Sequence, residues 1–494
     1  MQEEILGNII FYIGGIMKVF EKKMICLYLA GFIFFAFSCA TTKQSVVNSQ
    51  PNLEQPKHKD VVKENPGIEF AGKLNDALNK RNYEEALKLF ENLDEPLASD
   101  SKIKNLKLSI LISANKIKEA SDYASLLEAE YPDNTDILYA QVMLAQAENN
   151  AAKKKAYLNK ILSKNPNDSQ ALTEQGLDLY GKRQYNEARS KFITAYKADP
   201  HNIEALIGLA RINYMQNKLD QAEMNLNEVL KRQPNNSIAL AELARIKAET
   251  DRMYDAINDI NKAVSIDPNI ASHWMDLGAY NMQIGRKEAA LAAYNNAVQL
   301  EPTSYLAYIY RAGLNDELGY KEAALQDYIT VCNLYPPYYF ALEGAGILFW
   351  EKGDWINART AFIKALAKAP ASYQYAILAC ICSYKMNKKQ EAKSFMQNYL
   401  KTIDRAKNET EYFICRLFVD FAGDMEMVNR ATRENDMVKK GRLFFYIAEF
   451  YNLTKKEPLA QKCYAEVLAI QNPGFFEYRL AEHAENTKNK ADKR

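Results

Sequence analysis

Histidine and cysteine are the side chains of this 494-residue chain best suited to metal binding or nucleophilic chemistry, and the histidines are not arranged for it. The four histidines lie at positions 58, 201, 273 and 483, far apart in the sequence. The chain contains no phosphate-binding glycine loop, no G-x-S-x-G nucleophile elbow and no H-E-x-x-H zinc motif. The sequence therefore predicts that the protein is not an enzyme and that it has no cofactor.

The cysteines also fail to form a metal-binding pattern. Cys380 and Cys382 are two residues apart on a predicted helix, so their thiols point in different directions. An odd set of five cysteines lies beyond the N-terminal segment: Cys332, Cys380, Cys382, Cys415 and Cys463. In a protein outside the cytoplasm, such cysteines are expected to be paired or buried. We predict that Cys380 is a buried packing residue and that the chain holds no metal.

The overall charge and composition exclude several classes of protein. The 63 basic and 62 acidic residues give a formal net charge of +1, which argues against a nucleic-acid partner. Glycine (19 residues) and proline (15 residues) are scarce for this length. That scarcity argues against a β-sandwich and against long disordered stretches, and it favours helices.

The N-terminal segment has the pattern of a secretion signal. Residues 24–38 are mostly apolar, follow Lys18, Lys22 and Lys23, and end immediately before Cys39. This run is shorter than the roughly 20 residues of a membrane-spanning helix. The segment resembles a bacterial lipoprotein signal, which implies a signal peptide over residues 1–38 and a lipid on Cys39. The box before the cysteine is Ala-Phe-Ser, and it departs from the usual pattern of leucine followed by a small residue.

Two alternatives remain for this segment, namely an uncleaved N-terminal anchor and cleavage at another residue. Met17 also begins a more ordinary signal sequence than Met1 does, which makes it a candidate for the true start. Residues 39–66 are polar, contain no aromatic side chain and include three prolines. We expect them to be a flexible tether, because they cannot bury enough apolar surface to offset the entropy lost on ordering.

A period of 34 residues runs through the rest of the chain. It is marked by prolines at 132, 166, 200, 234, 268, 302, 336 and 370. With repeats counted from residue 67, position 20 is alanine in ten of twelve repeats, with Lys154 and Glu426 as the exceptions. Positions 20, 24 and 27 are mostly apolar and share one helical face, and a small residue at position 8 lies on an earlier helix. Each repeat therefore predicts two closely packed helices joined by a short turn.

Residues 274–302 resemble a tetratricopeptide repeat, with Trp274, Gly278, Ala290, Tyr294 and Pro302 at signature positions. The resemblance covers residues 67–474, with a degenerate repeat at 407–440, and residues 475–494 suit a capping helix and tail. It implies an all-α fold, an α-solenoid forming a right-handed superhelix of about 11–12 helix-turn-helix repeats. It also implies that the first helix of each pair lines the concave side.

Candidate partner-binding residues are those predicted to face this concave groove. They are aromatic, methionine and arginine side chains of the kind that anchors peptides. They are Tyr180, Arg211, Tyr214, Arg245, Met275, Met282, Trp350 and Tyr384. The alternative for the tyrosines is packing against the neighbouring first helix. The two arginines favour an acidic peptide.

These features predict a non-catalytic scaffold lipoprotein of the bacterial envelope. It is expected to be tethered by lipid on the outer-membrane or periplasmic side and to bind protein or peptide partners through its groove. One alternative is an envelope-assembly, polysaccharide-export or cell-wall factor whose groove contacts glycan through aromatics such as Trp350 and Tyr384. Another is an accessory subunit of a transporter or an enzyme. The sequence leaves the partner and the oligomeric state open.

Overall fold

The computed structural model describes residues 66–492, and these residues are helical with no β-strand among them. This confirms the all-α prediction. The predicted signal peptide, the predicted lipid-attachment residue Cys39 and nearly all of the predicted tether lie outside the described residues. Within residues 66–492, no helix is both long enough and apolar enough to cross a bilayer.

The described helices divide into two compact units, the first ending at Tyr280 and the second beginning at Asn281. Unit 1 contains helices α1 to α12 and most of α13, with a 3₁₀ turn at Leu89–Asn92. Their bounds are α1 Pro66–Asn79, α2 Tyr83–Lys88, α3 Ser101–Ser113, α4 Ile117–Glu130, α5 Thr135–Ala147, α6 Ala151–Lys164, α7 Ser169–Gly181, α8 Tyr185–Ala198, α9 Ile203–Met215, α10 Leu219–Arg232, α11 Ser237–Glu249, α12 Met253–Ile266 and α13 Ala271–Gln283.

Unit 2 continues the same succession of helices. Their bounds are α14 Lys287–Leu300, α15 Tyr305–Glu317, α16 Lys321–Leu334, α17 Phe340–Glu351, α18 Trp355–Lys368, α19 Tyr373–Lys385, α20 Lys389–Leu400, α21 Glu409–Asp420, α22 Asp424–Arg433, α23 Met437–Leu453, α24 Glu457–Leu468 and α25 Phe476–Asp492. Consecutive helices pack against each other within each unit, so each unit is an α-solenoid of helix-turn-helix pairs.

The turn inside each pair explains why the period is so regular. One residue of every such turn has a positive φ, and these residues recur 34 positions apart from Arg81 to Lys455. Glycine supplies this conformation at Gly285, Gly319 and Gly353, where φ is 74°, 82° and 72°. Glycine adopts positive φ without the steric cost that other residues meet, and asparagine tolerates it best among the rest. The same backbone conformation therefore recurs in the turns along the chain.

The first helices of unit 1 begin with repeated side-chain caps. Asp100, Asn134, Asp168, Asn202 and Asn236 each accept a hydrogen bond from a backbone N–H in the first turn of the helix that follows. Such caps satisfy donors that have no partner inside the helix. They fix where each first helix starts, and with it the rotation of the side chains that the helix presents.

The core of each pair is built on the predicted small and apolar positions. All ten alanines at position 20 are fully buried. In two repeats, the glycine at position 8 packs against the aromatic side chain at position 24. A Cβ atom built on Gly176 would lie 2.6 Å from the Phe192 ring, and one on Gly346 would lie 2.6 Å from the Phe362 ring. Glycine therefore makes room for a large ring, which brings the two helices of the pair together.

The degenerate repeat forms a shorter helix pair. Helices α21 and α22 fall in residues 407–440, and their turn holds Phe421 at a φ of 52°. The Phe421 ring packs against Tyr384 and Phe450, at centroid distances of 5.3 and 5.6 Å. Helix α25 follows the last pair and packs against α23 and α24, and also against α17.

Candidate functional site

A ladder of ion pairs joins the first helices α9, α11 and α13 in unit 1. Arg211 Nε on α9 donates to Glu242 Oε1 on α11 at 2.7 Å. Arg245 on α11 contacts Glu242 Oε2 through Nη1 and Asp276 Oδ2 on α13 through Nη2, both at 3.3 Å. In both links between neighbouring helices, the acid lies 31 residues after its arginine. The repeat period therefore places these side chains in one row.

The ladder is balanced in charge and partly accessible. The side chains of Arg211 and Arg245 are 30% and 40% exposed, and that of Glu242 is 16% exposed. Burial works against the charged form of Arg245, but the carboxylates of Glu242 and Asp276 outweigh it and raise its pKa. Since each guanidinium already faces a carboxylate, the arginines are not free cations waiting for an acidic ligand.

Tyrosine side chains flank the ladder. The Tyr214 hydroxyl donates to the Glu249 carboxylate on α11. Burial, together with this carboxylate, raises the pKa of Tyr214 to about 12. Tyr180 is half-buried and packs beside Tyr185 with a centroid distance of 5.6 Å. Tyr280 is nearly buried, and its hydroxyl has no hydrogen-bond partner among the described residues. We call the set Tyr180, Arg211, Tyr214, Glu242, Arg245, Asp276 and Tyr280 the unit 1 first-helix surface.

Comparison with known families adds one decisive observation. The family model described as tetratricopeptide repeat matches residues 179–243, from the end of α7 into α11. This stretch holds much of the unit 1 first-helix surface and follows the same 34-residue period as the rest of the array.

Residues 179–243 therefore form a tetratricopeptide repeat segment.

Solved tetratricopeptide and related structures match parts of the chain. MamA is 27% identical, covers 33% of this chain and 95% of its own, and has a TM-score of 0.31. PilW, described as a widely conserved type IV pilus biogenesis factor, is 21% identical over 41% of this chain and 94% of its own, with a TM-score of 0.36. A tetratricopeptide repeat protein from Parabacteroides merdae is 17% identical over 51% of this chain and 98% of its own, with a TM-score of 0.33. No curated protein sequence matches the chain.

The match to the tetratricopeptide repeat family indicates a general role. The fold is that of a scaffold for protein–protein interactions, and members of the family bind protein or peptide partners.

The structure divides the eight predicted groove residues between the two units. Tyr180, Arg211, Tyr214 and Arg245 lie on the unit 1 first-helix surface, and Met275 is a partly exposed residue of α13 in unit 1. The remaining three, Met282, Trp350 and Tyr384, belong to unit 2. Met282 is partly exposed.

Trp350 requires a correction, because it is a core residue. It is 5% exposed, and its ring packs edge-on against Trp355 and Phe362 at centroid distances of 5.2 and 6.5 Å. Tyr384 is half-buried, and its hydroxyl donates to the carbonyl oxygen of Phe418 at 2.6 Å. This contact belongs to the packing of one first helix on the next, which was the alternative that the sequence left open for the tyrosines.

Sequence reasoning did not include the acidic partners of the ladder, Glu242 and Asp276, nor the acceptor Glu249. The spacing of 31 residues between an arginine and an acid, occurring twice in succession, is the signal that indicates them. In unit 2 it also did not include Asp316, Glu351 or Arg479, which lie together although Arg479 is 163 residues after Asp316. No local pattern indicates that contact.

The remaining chemically capable side chains are dispersed or buried. Among residues 66–492, no group of three or more histidine, cysteine, aspartate or glutamate side chains is placed to hold a metal ion. Cys380, Cys382, Cys415 and Cys463 are buried, as predicted for Cys380, and Cys332 is partly buried. Burial raises the pKa of each of these five thiols, which disfavours the reactive thiolate form.

Proposed function

We propose that the chain is a non-catalytic scaffold lipoprotein of the bacterial envelope. A lipid on Cys39 would hold it to the membrane, and a segment of a protein partner would lie along the unit 1 first-helix surface. The observation that carries this proposal is the row of partly exposed arginine and tyrosine side chains on successive first helices.

The composition of this surface suits a polypeptide ligand. Tyrosine and arginine are enriched among residues that dominate binding at protein interfaces, since they combine apolar area with hydrogen-bonding groups. The ladder holds its guanidinium groups in place before binding, so little side-chain entropy is lost when a ligand arrives. A peptide backbone offers both donors and acceptors, which matches a surface of alternating guanidinium and carboxylate groups.

Charge balance changes the expected specificity. Arg211 and Arg245 lie opposite Glu242 and Asp276, so the ladder carries no net charge. We therefore propose that recognition depends on hydrogen bonds and tyrosine contacts, and not on an acidic partner. Affinity should then depend only weakly on salt, because long-range attraction contributes little.

The buried cysteines are compatible with a place outside the cytoplasm. Four of the five cysteines in the described array are buried, so a protein without a disulfide among them still offers little thiol for oxidation. The signal pattern before Cys39 supports the same location. The glycan alternative has less support than the peptide, since Trp350, one of its two aromatic candidates, is buried.

A matched pair of substitutions in the full lipidated chain tests this function. Arg245→Glu places a third carboxylate between Glu242 and Asp276. It should reduce capture of the protein partner at least tenfold. Arg232→Glu breaks an ion pair of similar exposure on the second helix α10 and should leave capture unchanged. Equal capture by both variants and the wild type would contradict the proposal. Capture of exported polysaccharide with no protein partner would favour the glycan alternative.

A further inference from the structure

The C-terminal helix α25 lies against the second helix α24 and against the first helices α23 and α17 of unit 2. Among residues 66–492, every earlier α-helix belongs to a helix-turn-helix pair, and α25 follows the last of these pairs. It contacts α23 and α24, and it also reaches α17. The first helices of a tetratricopeptide array are the ones that carry partner-binding surfaces, so α25 occupies such a surface within its own chain.

Arg479 joins α25 to residues that lie far earlier in the sequence. Its Nη1 and Nη2 donate to the two carboxylate oxygens of Asp316 on α15 at 2.5 and 3.1 Å, and its Nε donates to Glu351 on α17 at 2.5 Å. The Asp316 and Glu351 side chains are only 10% and 12% exposed. A fork of two parallel hydrogen bonds to one carboxylate, with a third to another, is a geometry that arginine forms and lysine cannot.

Phe476 and Glu477, which precede Arg479 on the same helix, complete the contact. Glu477 is fully buried and accepts a hydrogen bond from the Tyr446 hydroxyl at 2.8 Å, with Arg442 Nε at 3.4 Å from its other oxygen. Phe476 stacks on Tyr375 at a centroid distance of 6.5 Å and an interplanar angle of 12°. The Tyr375 hydroxyl in turn donates to Glu343 on α17 at 2.5 Å. An aromatic, an acid and an arginine in positions i, i+1 and i+3 of one helix are thus each matched by a group of unit 2.

The surface of unit 2 beneath α25 contains two acidic side chains and one basic side chain close together. Asp316 and Glu351 share one further cation, Lys321, with Nζ distances of 2.6 and 3.7 Å. If Arg479 leaves, two nearly buried carboxylates share a single lysine. Removing one member of a buried charge network is costly because the remaining charge has lost its partner. The vacated surface would therefore strongly favour a new arginine at the same place.

Helix α25 is held mainly at its first half. Leu480 and Ala481 are buried, whereas Glu482 and residues 486–489 are exposed. The attachment is thus concentrated in about two turns, and no further helix follows α25 among residues 66–492 to pack on it. A helix attached in this way is expected to open locally, without unfolding of its neighbours.

We propose that the surface formed by Asp316, Glu343, Glu351, Tyr375, Arg442 and Tyr446 is a helix-binding site, and that α25 is its exchangeable internal occupant. Its partner is an amphipathic helix of another protein with an aromatic residue, an acid and an arginine at positions i, i+1 and i+3. Such a helix displaces α25. This site is separate from the unit 1 first-helix surface and adds a second, self-covered interaction site.

A labelled peptide of residues 475–492, added to the full chain, tests the proposal. Arg479→Glu in the chain replaces the anchor by a repelling charge and frees the site, so the peptide should bind this variant at least tenfold more tightly than the wild type. Lys488→Glu makes the same charge change at an exposed position of α25 and should behave as the wild type does. A peptide carrying Arg479→Glu should bind none of the three chains. Equal binding of the unmodified peptide to all three chains would overturn the proposal.

Hydrogen exchange on the unsubstituted chain provides a second test, which does not depend on whether a substituted chain folds. The amides of residues 478–486 should exchange through local opening, well before those in the middle of α23 and α24. If all three helices exchange together, through one common unfolding event, α25 is a fixed part of the core and the proposal is wrong.

Discussion

Arg211 on one first helix donates to Glu242 on the next at 2.7 Å, and Arg245 repeats the relationship with Asp276 one period later at 3.3 Å. Neighbouring repeats of unit 1 are thus joined on their first-helix side by polar contacts as well as by the apolar core. Since Glu242 also contacts Arg245, it links the two rungs of the ladder.

The first prediction concerns the strength of this link. A double-mutant cycle with Arg211→Ala and Glu242→Ala should give a coupling free energy of about 0.5–1 kcal/mol, because the pair is well aligned and mostly shielded from water. The cycle is measured by urea unfolding of the full chain. The exposed pair Lys73 and Glu69, with side chains 61% and 49% exposed, serves as the control and should show coupling near zero. Coupling of equal size at both sites would show that the ladder is ordinary surface charge.

A second prediction compares two glycines whose replacement by alanine should change stability in opposite directions. Gly353 lies in a turn at a φ of 72°, so Gly353→Ala should destabilise unit 2 by about 1 kcal/mol. Gly313 lies inside helix α15, and an added Cβ there would meet no atom within 4 Å. Gly313→Ala should therefore stabilise the unit by about 0.5–1 kcal/mol. Thermal unfolding of the two variants should show shifts of opposite sign, and two shifts in the same direction would contradict the account of the turns.

A third prediction is that docking of α25 weakens as pH rises. Burial raises the pKa of Glu477 from 4.5 to about 7, although Arg442 and Tyr446 oppose this, while Glu343 adds to it. The docked state therefore holds its proton more tightly than the released state does. The contribution to docking is fully present below pH 4.5 and is lost as pH rises through about 7.

The measurement is the anisotropy of a fluorescent amino acid placed at position 488, recorded between pH 5 and pH 8. The anisotropy should fall as the pH rises, because the released helix tumbles more freely. Glu477→Gln removes the titrating carboxyl group and should make the signal independent of pH in this range. A wild-type signal that rises with pH, or a Gln variant that keeps the full dependence, would refute the assignment to Glu477.

A fourth prediction concerns the lipid. Cys39→Ser should move the protein from the membrane fraction to the soluble fraction, because it removes the thiol that we propose carries a lipid. Cys26→Ser, within the apolar segment, is the matched control and should leave the protein on the membrane. Fractionation with immunodetection measures both. Retention of the Cys39 variant on the membrane would point to the uncleaved anchor instead.

The sequence predicts the repeat architecture well because one local pattern is used again and again. The alanines at position 20 are buried without exception, and the turn residues with positive φ keep the same 34-residue spacing. Each of these features depends on residues within a single pair or its neighbour. Periodicity is the property of a sequence that reports such local contacts most directly.

The candidate surface is less visible in the sequence because it depends on what each side chain meets. Position 12 holds Tyr214, which reaches a carboxylate on the next first helix, and also Trp350, which is enclosed by Trp355 and Phe362. The same repeat position thus serves a surface in one place and the core in another. The contact of Arg479 with Asp316 spans 163 residues and follows no period, so only the three-dimensional structure reveals it.

The most direct test of the proposed function is position-specific photo-crosslinking in the envelope of living cells. A photoreactive phenylalanine analogue replaces Tyr214 on the unit 1 first-helix surface, or Tyr254 on the second helix α12, where 71% of the residue is exposed. The account predicts a discrete protein adduct from position 214 that disappears with Arg245→Glu, and none from position 254. An adduct from position 254 alone, or one from position 214 that Arg245→Glu leaves unchanged, would contradict it.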